Sequence, residues 1–266
     1  MAILTSGGLK YYTFDSFPQD RVGHGIFSRN GGVSPEPWNS LNLGGTVGDS
    51  AENVIENRNK LFKSIRRPLE SIYDVWQVHS ADVVCTENAR PLKEPHLRAD
   101  AIITRNPTIT LMMRFADCVP VLLYDPVQHA VGLVHAGWKG TVTFVVEAAV
   151  RRMATCFGSQ PEDIIAGIGP SIGPDHYEVG EDVISSVETA FGKYSGELLS
   201  RTNHHCHFDL WKANQRVLEL SGVTKVETAG ICTACHGNDW YSHRAEKGKT
   251  GRFGAVIFIE SNQEGK

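Results

Sequence analysis

The sequence predicts an α+β fold with mixed, largely antiparallel sheets. Strand-like runs outnumber helical ones, and short turn sequences rather than crossover helices separate neighbouring strands. With 41% of its 266 residues hydrophobic, the chain can fill a substantial core. No internal repeat stands out and no proline- or serine-rich linker divides the chain, so residues 1–266 are expected to form a single domain.

In chain order, Ser50 is the expected N-cap of a first helix. There Val54, Arg58, Leu61, Phe62 and Ile65 share one stripe, and the helix stops before Arg67-Pro68. Tyr73–Val84, Asp100–Thr104, Thr108–Arg114, Val119–Tyr124 and Ala130–Val134 then read as strands, rich in valine, isoleucine and leucine. Val142, Val145, Val146, Ala149, Val150 and Met153 recur on one face of the clearest amphipathic helix. Further helices are predicted at Glu181–Phe191 and Leu210–Leu220, and strands at Ile164–Ile168, Val223–Thr228 and Gly254–Glu260.

A net charge of −4 gives no whole-molecule attraction to nucleic acid or to an anionic membrane. No basic segment followed by an apolar stretch opens the chain, and no run approaches the roughly 18 apolar residues of a membrane span. A soluble, cytoplasmic and monomeric protein is therefore expected. Six cysteines scattered through a chain of this size suit a reducing compartment, as free thiols or metal ligands.

The first chemical signal comes from a hairpin. Asp125-Pro126-Val127-Gln128 is a turn sequence between two apolar strands, and pairing Asp125 with Gln128 sets Cys118 opposite His135. Their Cβ atoms would then be roughly 4.5–5.5 Å apart. Pro120, which has no N–H, is a point where a bulge would shift that register. Such a pair can be a buried cysteine beside a satisfied histidine, a Cys–His nucleophilic dyad, or two ligands of a shared metal. A metal needs a third ligand, and His79, in Trp76-Gln77-Val78-His79-Ser80, is the best candidate among 11 histidines.

Longer motifs surround these residues: Gly25-Ile26-Phe27-Ser28-Arg29-Asn30-Gly31-Gly32, Ser40-Leu41-Asn42-Leu43-Gly44, Gln77-Val78-His79-Ser80, Ala116-Asp117-Cys118-Val119-Pro120 and His135-Ala136-Gly137-Trp138-Lys139-Gly140. Gly167-Ile168-Gly169-Pro170, Tyr177-Glu178-Val179-Gly180 and Tyr241-Ser242-His243-Arg244 with Thr250-Gly251-Arg252 follow. In content and order they resemble the laccase-domain family, long labelled polyphenol oxidase and since described as purine nucleoside phosphorylases with adenosine deaminase activity. The resemblance spans residues 24–259. It implies an α/β/β/α layered sandwich, and Zn2+ held by His79, Cys118 and His135, which also count as the catalytic residues. Two imidazoles and a thiolate leave one position of a tetrahedral zinc open to water, whose pKa would fall toward about 7.

The implied reactions are phosphorolysis of adenosine, inosine, guanosine or methylthioadenosine to base and sugar 1-phosphate, and deamination of adenosine. The implied partners are a purine nucleoside and phosphate. The resemblance puts Ser28, Arg29, Asn42, Arg58 and Gln77 near the substrate, with Arg29 a candidate grip on phosphate. Glu178 and Asp117 are candidate proton handlers or partners that orient the metal ligands, and Glu178 and Arg244 count among the substrate-binding candidates. Arg244 belongs to a basic cluster with His243, Lys247, Lys249 and Arg252 that reads either as a loop closing over an anion or as a solvated charged loop. Two departures from the family are Lys139, where arginine is usual, and His176, where cysteine is common. Lys139 keeps the charge but lacks the bidentate fork.

Alternatives are a copper-linked polyphenol oxidase, since two histidines and a cysteine also bind copper, and a Cys–His hydrolase. Multicopper oxidases resemble one another in repeated His-x-His pairs, and here only His205 and His207 have that spacing. The run His204-His205-Cys206-His207 reads as a polar loop or an adventitious surface metal site. Cys232-Thr233-Ala234-Cys235 lacks the second Cys-x-x-Cys of a zinc ribbon, a thioredoxin-like context, and the His-x-Glu of a cytidine deaminase.

Overall fold

A computed structural model of the chain describes residues 2–202 and 205–260. The chain opens with a meander of β1 (Ala2–Ser6), β2 (Leu9–Thr13) and β3 (Val22–Phe27). Helix α1 (Ala51–Ser64) follows, capped as expected by the Ser50 hydroxyl, which accepts from the Asn53 N–H at 3.2 Å. Next come β4 (Ile72–Tyr73), β5 (Val83–Cys85), β6 (Ala101–Thr104), β7 (Thr110–Phe115), β8 (Val119–Asp125) and β9 (Ala130–Ala136). Helices α2 (Trp138–Val142) and α3 (Val145–Phe157), strand β10 (Ile165–Ile168), and helices α4 (Glu181–Phe191) and α5 (Ser195–Leu198) come after them. The chain continues through β11 (Leu199–Thr202), β12 (His205–Phe208), α6 (Leu210–Leu220), β13 (Lys225–Thr228) and β14 (Phe253–Ile259).

Two six-stranded sheets result, ordered β1-β2-β3-β14-β7-β4 and β13-β10-β8-β9-β6-β5. Most pairings are antiparallel; β4 with β7, β5 with β6 and β10 with β13 are parallel. Three apolar layers separate the elements. Leu111, Met113, Ala255 and Ile257 of the first sheet meet Ile102, Leu122, Tyr124 and Leu133 of the second. On the second sheet's other face, Val121, Leu123 and Val134 pack under α3, α4 and α6 through Val146, Val150, Val187 and Val217. On the first sheet's outer face, Met112 and Val256 pack under Leu61 and Phe62 of α1. The alternation of the strands thus feeds two different cores, and the order helix, sheet, sheet, helix is the expected sandwich.

Three elements differ from their predicted form. The stretch Tyr73–Val84 is not one strand: it pairs in a ladder only at its ends and by a single bridge from Trp76 to Arg98, and otherwise runs irregularly past Asp74, Gln77 and His79, with His79 at φ 61°. The helical stripe from Val142 to Met153 is broken by Phe144 at φ 59°, so α2 and α3 are separate. The hairpin between β8 and β9 closes through residues 126–129, with Asp125 opposite Ala130 and Pro120 opposite His135. The Asp125 carboxylate accepts from the N–H groups of Val127 and Gln128 at 2.8 and 2.9 Å, which favours this longer turn.

That register is displaced two residues from the predicted one. An even displacement keeps each side chain on its face, so Cys118 and His135 still share a face as diagonal neighbours. Pro120 forces no bulge. Its carbonyl accepts from Gly169, so its nitrogen also faces away from β9, while His135 donates its own N–H to the Asp100 carbonyl.

Candidate active site

Cys118 lies where the chain passes from the first sheet to the second, between Phe115 at the end of β7 and Val119 at the start of β8. The turn needs Asp117 at φ 83°, and Asp117 is held there by two hydrogen bonds. Its carboxylate accepts from the Thr233 hydroxyl at 2.7 Å and the Arg244 N–H at 2.6 Å. His135 is buried on β9 beside Phe115, ring centroids 5.4 Å apart, and the irregular segment before β5 brings His79 to the same point.

The Cys118 Sγ is 3.9 Å from His79 Nε2, and the ligand atoms of His79, Cys118 and His135 all lie within 4.8 Å of one another. Gly137 makes this convergence possible: a Cβ there would sit 2.9 Å from the Cys118 sulfur and 3.0 Å from the His79 ring.

A single buried carboxylate organises both imidazoles. Asp100 Oδ1 accepts from His135 Nδ1 at 2.8 Å, which turns the other ring nitrogen toward the centre. Asp100 Oδ2 accepts from the N–H groups of Val78 and Ser80 at 3.1 and 2.7 Å and from the Ser80 hydroxyl, fixing the backbone on both sides of His79. Burial alone would raise the Asp100 carboxyl; the bonds from His135 and Ser80 outweigh it and hold the group below its usual range.

Burial would also raise the Cys118 thiol, but the His135 and His79 rings bring it down to about 6. Burial would deprotonate His135, yet the Cys118 sulfur and Asp100 hold its proton up to about 9. These shifts favour a thiolate beside an imidazolium, and a divalent cation bound by both side chains would take the place of that proton. One sulfur and two imidazole nitrogens, with no fourth histidine, cysteine or carboxylate in the group among the described residues, suit zinc with an open position.

His79 and Cys118 form a shared wall between two cavities. The smaller, about 250 Å³, is bounded by Trp138, Lys139, Ile172, Tyr177 and Leu210. The larger, about 560 Å³, lies within the range of small-molecule sites. Arg58, Arg114 and Arg252 line it, with Gly44, Gly45 and His243.

Its arginines are held from behind. Buried Asp74 is 3.1 Å from Arg114, 3.6 Å from Arg58, 2.7 Å from Arg90 and 3.1 Å from His96. Burial opposes its ionisation, but His96, Arg114 and Arg58 together keep it far below the usual carboxylate range. Three guanidinium groups around one carboxylate leave two positive charges in excess. The buried Arg58 Nε has no hydrogen-bond partner among the described residues.

The residues predicted to bind substrate divide in two. Arg58 and Gln77 line the larger cavity. Gln77 acts there as a brace: its amide donates to the Arg114 carbonyl at 2.8 Å and accepts from the Arg114 N–H at 3.0 Å. Ser28, Arg29 and Asn42 line neither cavity at the centre. Arg29 is buried against the Tyr241 ring, with donors given to the Asn39 and Gly237 carbonyls, the Asn39 amide oxygen and the Glu246 carboxylate. Asn42 binds Asp49, Gly44 and Arg252, and so shapes the Gly44-Gly45 wall from behind.

Glu178 pairs at the surface with His205 at 2.6 Å and lines neither cavity, whereas Asp117 borders the smaller cavity with its carboxylate engaged by Thr233 and Arg244. Arg244 lies over the Tyr177 ring at 5.1 Å and donates to the Glu178 carbonyl. Of the predicted basic cluster, only His243 and Arg252 line the larger cavity. His204 lies outside the described residues, so the run His204-His205-Cys206-His207 is not described as a whole. Asp74, Asp100 and Arg114 were not singled out from the sequence, although each is a charge beside an apolar strand run.

No helix among the described residues is long and apolar enough to cross a membrane. Residues 23–260 match a family model described as multi-copper polyphenol oxidoreductase laccase. A protein of Bacteroides thetaiotaomicron named purine nucleoside phosphorylase is 34% identical over 94% of this chain and 96% of its own length. One of the same name from Deinococcus radiodurans is 37% identical over 90% of each chain. The crystal structure of hypothetical protein YfiH from Bacillus licheniformis superposes with a TM-score of 0.89 at 32% identity, covering 95% of this chain and 96% of that one. The chain therefore belongs to the multi-copper polyphenol oxidoreductase laccase family, among relatives that carry the name purine nucleoside phosphorylase.

Proposed function

We propose that the chain is a zinc-dependent purine nucleoside phosphorylase, acting on adenosine, inosine, guanosine or methylthioadenosine, with adenosine deaminase as a second activity. One observation carries the reading: an open His79, Cys118 and His135 centre forms one wall of a nucleoside-sized cavity whose other wall is arginine-rich. Zinc held there supplies a Lewis acid and acidified water, which displacement of ammonia from purine C6 needs.

For phosphorolysis, Arg58, Arg114 and Arg252 hold the phosphate dianion, with Asp74 fixing the first two so that their geometry precedes substrate binding. Phosphate oxygen then bonds to the sugar C1′ as the N-glycosidic bond breaks, and the bond's electron pair leaves with the purine. The arginines keep the nucleophile aligned, and Val54 and Ile55 add apolar lining to the same cavity. His135, locked by Asp100, keeps its free nitrogen directed at the centre throughout.

Adenosine incubated with the protein, with and without phosphate, and resolved by chromatography tests the assignment. Adenine or hypoxanthine formed only with phosphate supports phosphorolysis, and inosine formed without it supports deamination. No turnover of any nucleoside removes the proposal. Loss of activity in Cys118→Ala with zinc retained would favour the Cys–His hydrolase instead, and phenol oxidation by copper-loaded protein would favour the oxidase.

A further inference from the structure

A second cluster of metal-binding side chains lies outside the cavity centre. Cys232-Thr233-Ala234-Cys235 forms a turn against the loop that carries Asp175 and His176. One ligand atom from each of Asp175, His176, Cys232 and Cys235 falls within 4.8 Å of every other. His176 Nδ1 is 3.5 Å from the Cys235 sulfur, 3.8 Å from the Cys232 sulfur and 3.1 Å from the Asp175 carboxylate.

These are the edges of a coordination tetrahedron. With zinc–sulfur bonds of about 2.3 Å and zinc–nitrogen or zinc–oxygen bonds of about 2.0 Å, tetrahedral S···N edges are roughly 3.5 Å and N···O edges roughly 3.3 Å. The Gly173 N–H donates to the Cys232 sulfur at 3.1 Å, an N–H···S contact that stabilises a thiolate. Gly173 also leaves the space: a Cβ there would lie 2.8 Å from the Asp175 carboxylate and 3.2 Å from the Cys232 sulfur.

We propose that Asp175, His176, Cys232 and Cys235 bind a second zinc ion in a closed, structural site. Four protein donors saturate a tetrahedral ion, so this one takes no substrate. Its effect is on the walls of the first site. Thr233, inside the Cys-x-x-Cys turn, donates to the Asp117 carboxylate that holds the turn before Cys118, and Tyr177, next to His176, bounds the smaller cavity. Clamping residues 173–177 to 232–235 therefore fixes both. The inference stands whether or not the first centre cleaves nucleosides. A Cys232–Cys235 disulfide is the competing state, and it would leave His176 and Asp175 without a role.

The test is zinc content of the full-length chain, purified under reducing conditions and measured by mass spectrometry, with Zn2+ as the only added metal. The expected ratios are about two zinc ions per chain for the unaltered protein and about one each for Cys118→Ala and Cys235→Ser. Cys235 is exposed, so its replacement spares the core, and His176→Ala should give the same ratio independently. In Cys118→Ala, a chelator should lower the melting temperature, whereas in Cys118→Ala with Cys235→Ser it should not. A ratio near one in the unaltered protein with none in Cys118→Ala would overturn the second site. So would an intact mass showing Cys232 and Cys235 joined in protein isolated with alkylation but no reductant.

Discussion

Replacing Asp100 by asparagine is the sharpest probe of the first centre, because it changes one atom and breaks two arrangements at once. Asp100 has two acceptor oxygens: one takes the His135 Nδ1–H, and the other takes the Val78 and Ser80 N–H groups with the Ser80 hydroxyl. Asparagine offers one oxygen and one NH2. If its oxygen faces Val78 and Ser80, the NH2 faces His135 and moves that ring's proton to the nitrogen that should bind metal. The flipped amide instead sets its NH2 against two N–H donors. Either way a ligand is misdirected. Loss of such an orienting partner typically costs 10–100-fold in metal affinity, about 1.4–2.7 kcal/mol. Competition with a chromophoric chelator measures it, in a Cys235→Ser background that leaves one centre to titrate. Zinc affinity within about twofold of the parent, in a variant whose melting shows it folded, would refute the role given to Asp100.

The other predictions follow from single contacts. Gly137→Ala puts a methyl 2.9 Å from the Cys118 sulfur, so zinc content should fall while chain folding persists, as read by metal analysis beside circular dichroism. Asp74→Asn strands three buried or half-buried arginines and should cost about 3–5 kcal/mol in urea unfolding. Because the folded Asp74 pKa is depressed, its contribution is complete above about pH 4. It should fade as pH drops below that value, and the unaltered protein should show this loss where Asp74→Asn does not. Arg58→Gln should raise the KM for phosphate by roughly tenfold or more, with a smaller change for nucleoside, since a hydrogen bond to a charged group is removed. In metal-stripped protein, iodoacetamide should alkylate Cys118 with a rate that rises with pH through about 6, and zinc should protect it.

The fold was legible wherever one residue period ruled a whole element. Glu181–Phe191 and Leu210–Leu220 occur as predicted, and the strands from Asp100 to Val134 are displaced by only one or two residues at their ends. What escaped was structure set by turns. The β1–β2 hairpin was not predicted, although Gly7-Gly8, at φ 57° and 79°, is the two-residue turn such hairpins favour. The Tyr73–Val84 run is apolar enough for a strand, but Asp74 and His79 are drawn into polar networks that a continuous ladder would not allow. Tertiary demand overrode local preference there.

The two metal clusters show the same limit on a longer scale. His79, Cys118 and His135 could be tied together because a hairpin links two of them, and an error of two in its register was harmless since side chains alternate with a period of two. Cys232 and Cys235 had no such local partner. Their neighbours are not a second Cys-x-x-Cys but Asp175 and His176, supplied by a loop packed alongside through the Ser171–Cys232 bridge. Histidine and cysteine are both zinc ligands, so a cysteine at position 176 would preserve a donor at the same corner. Replacing His176 by cysteine should therefore keep the zinc that alanine loses, and a His176→Cys chain with the zinc content of His176→Ala would show that this corner was never a ligand.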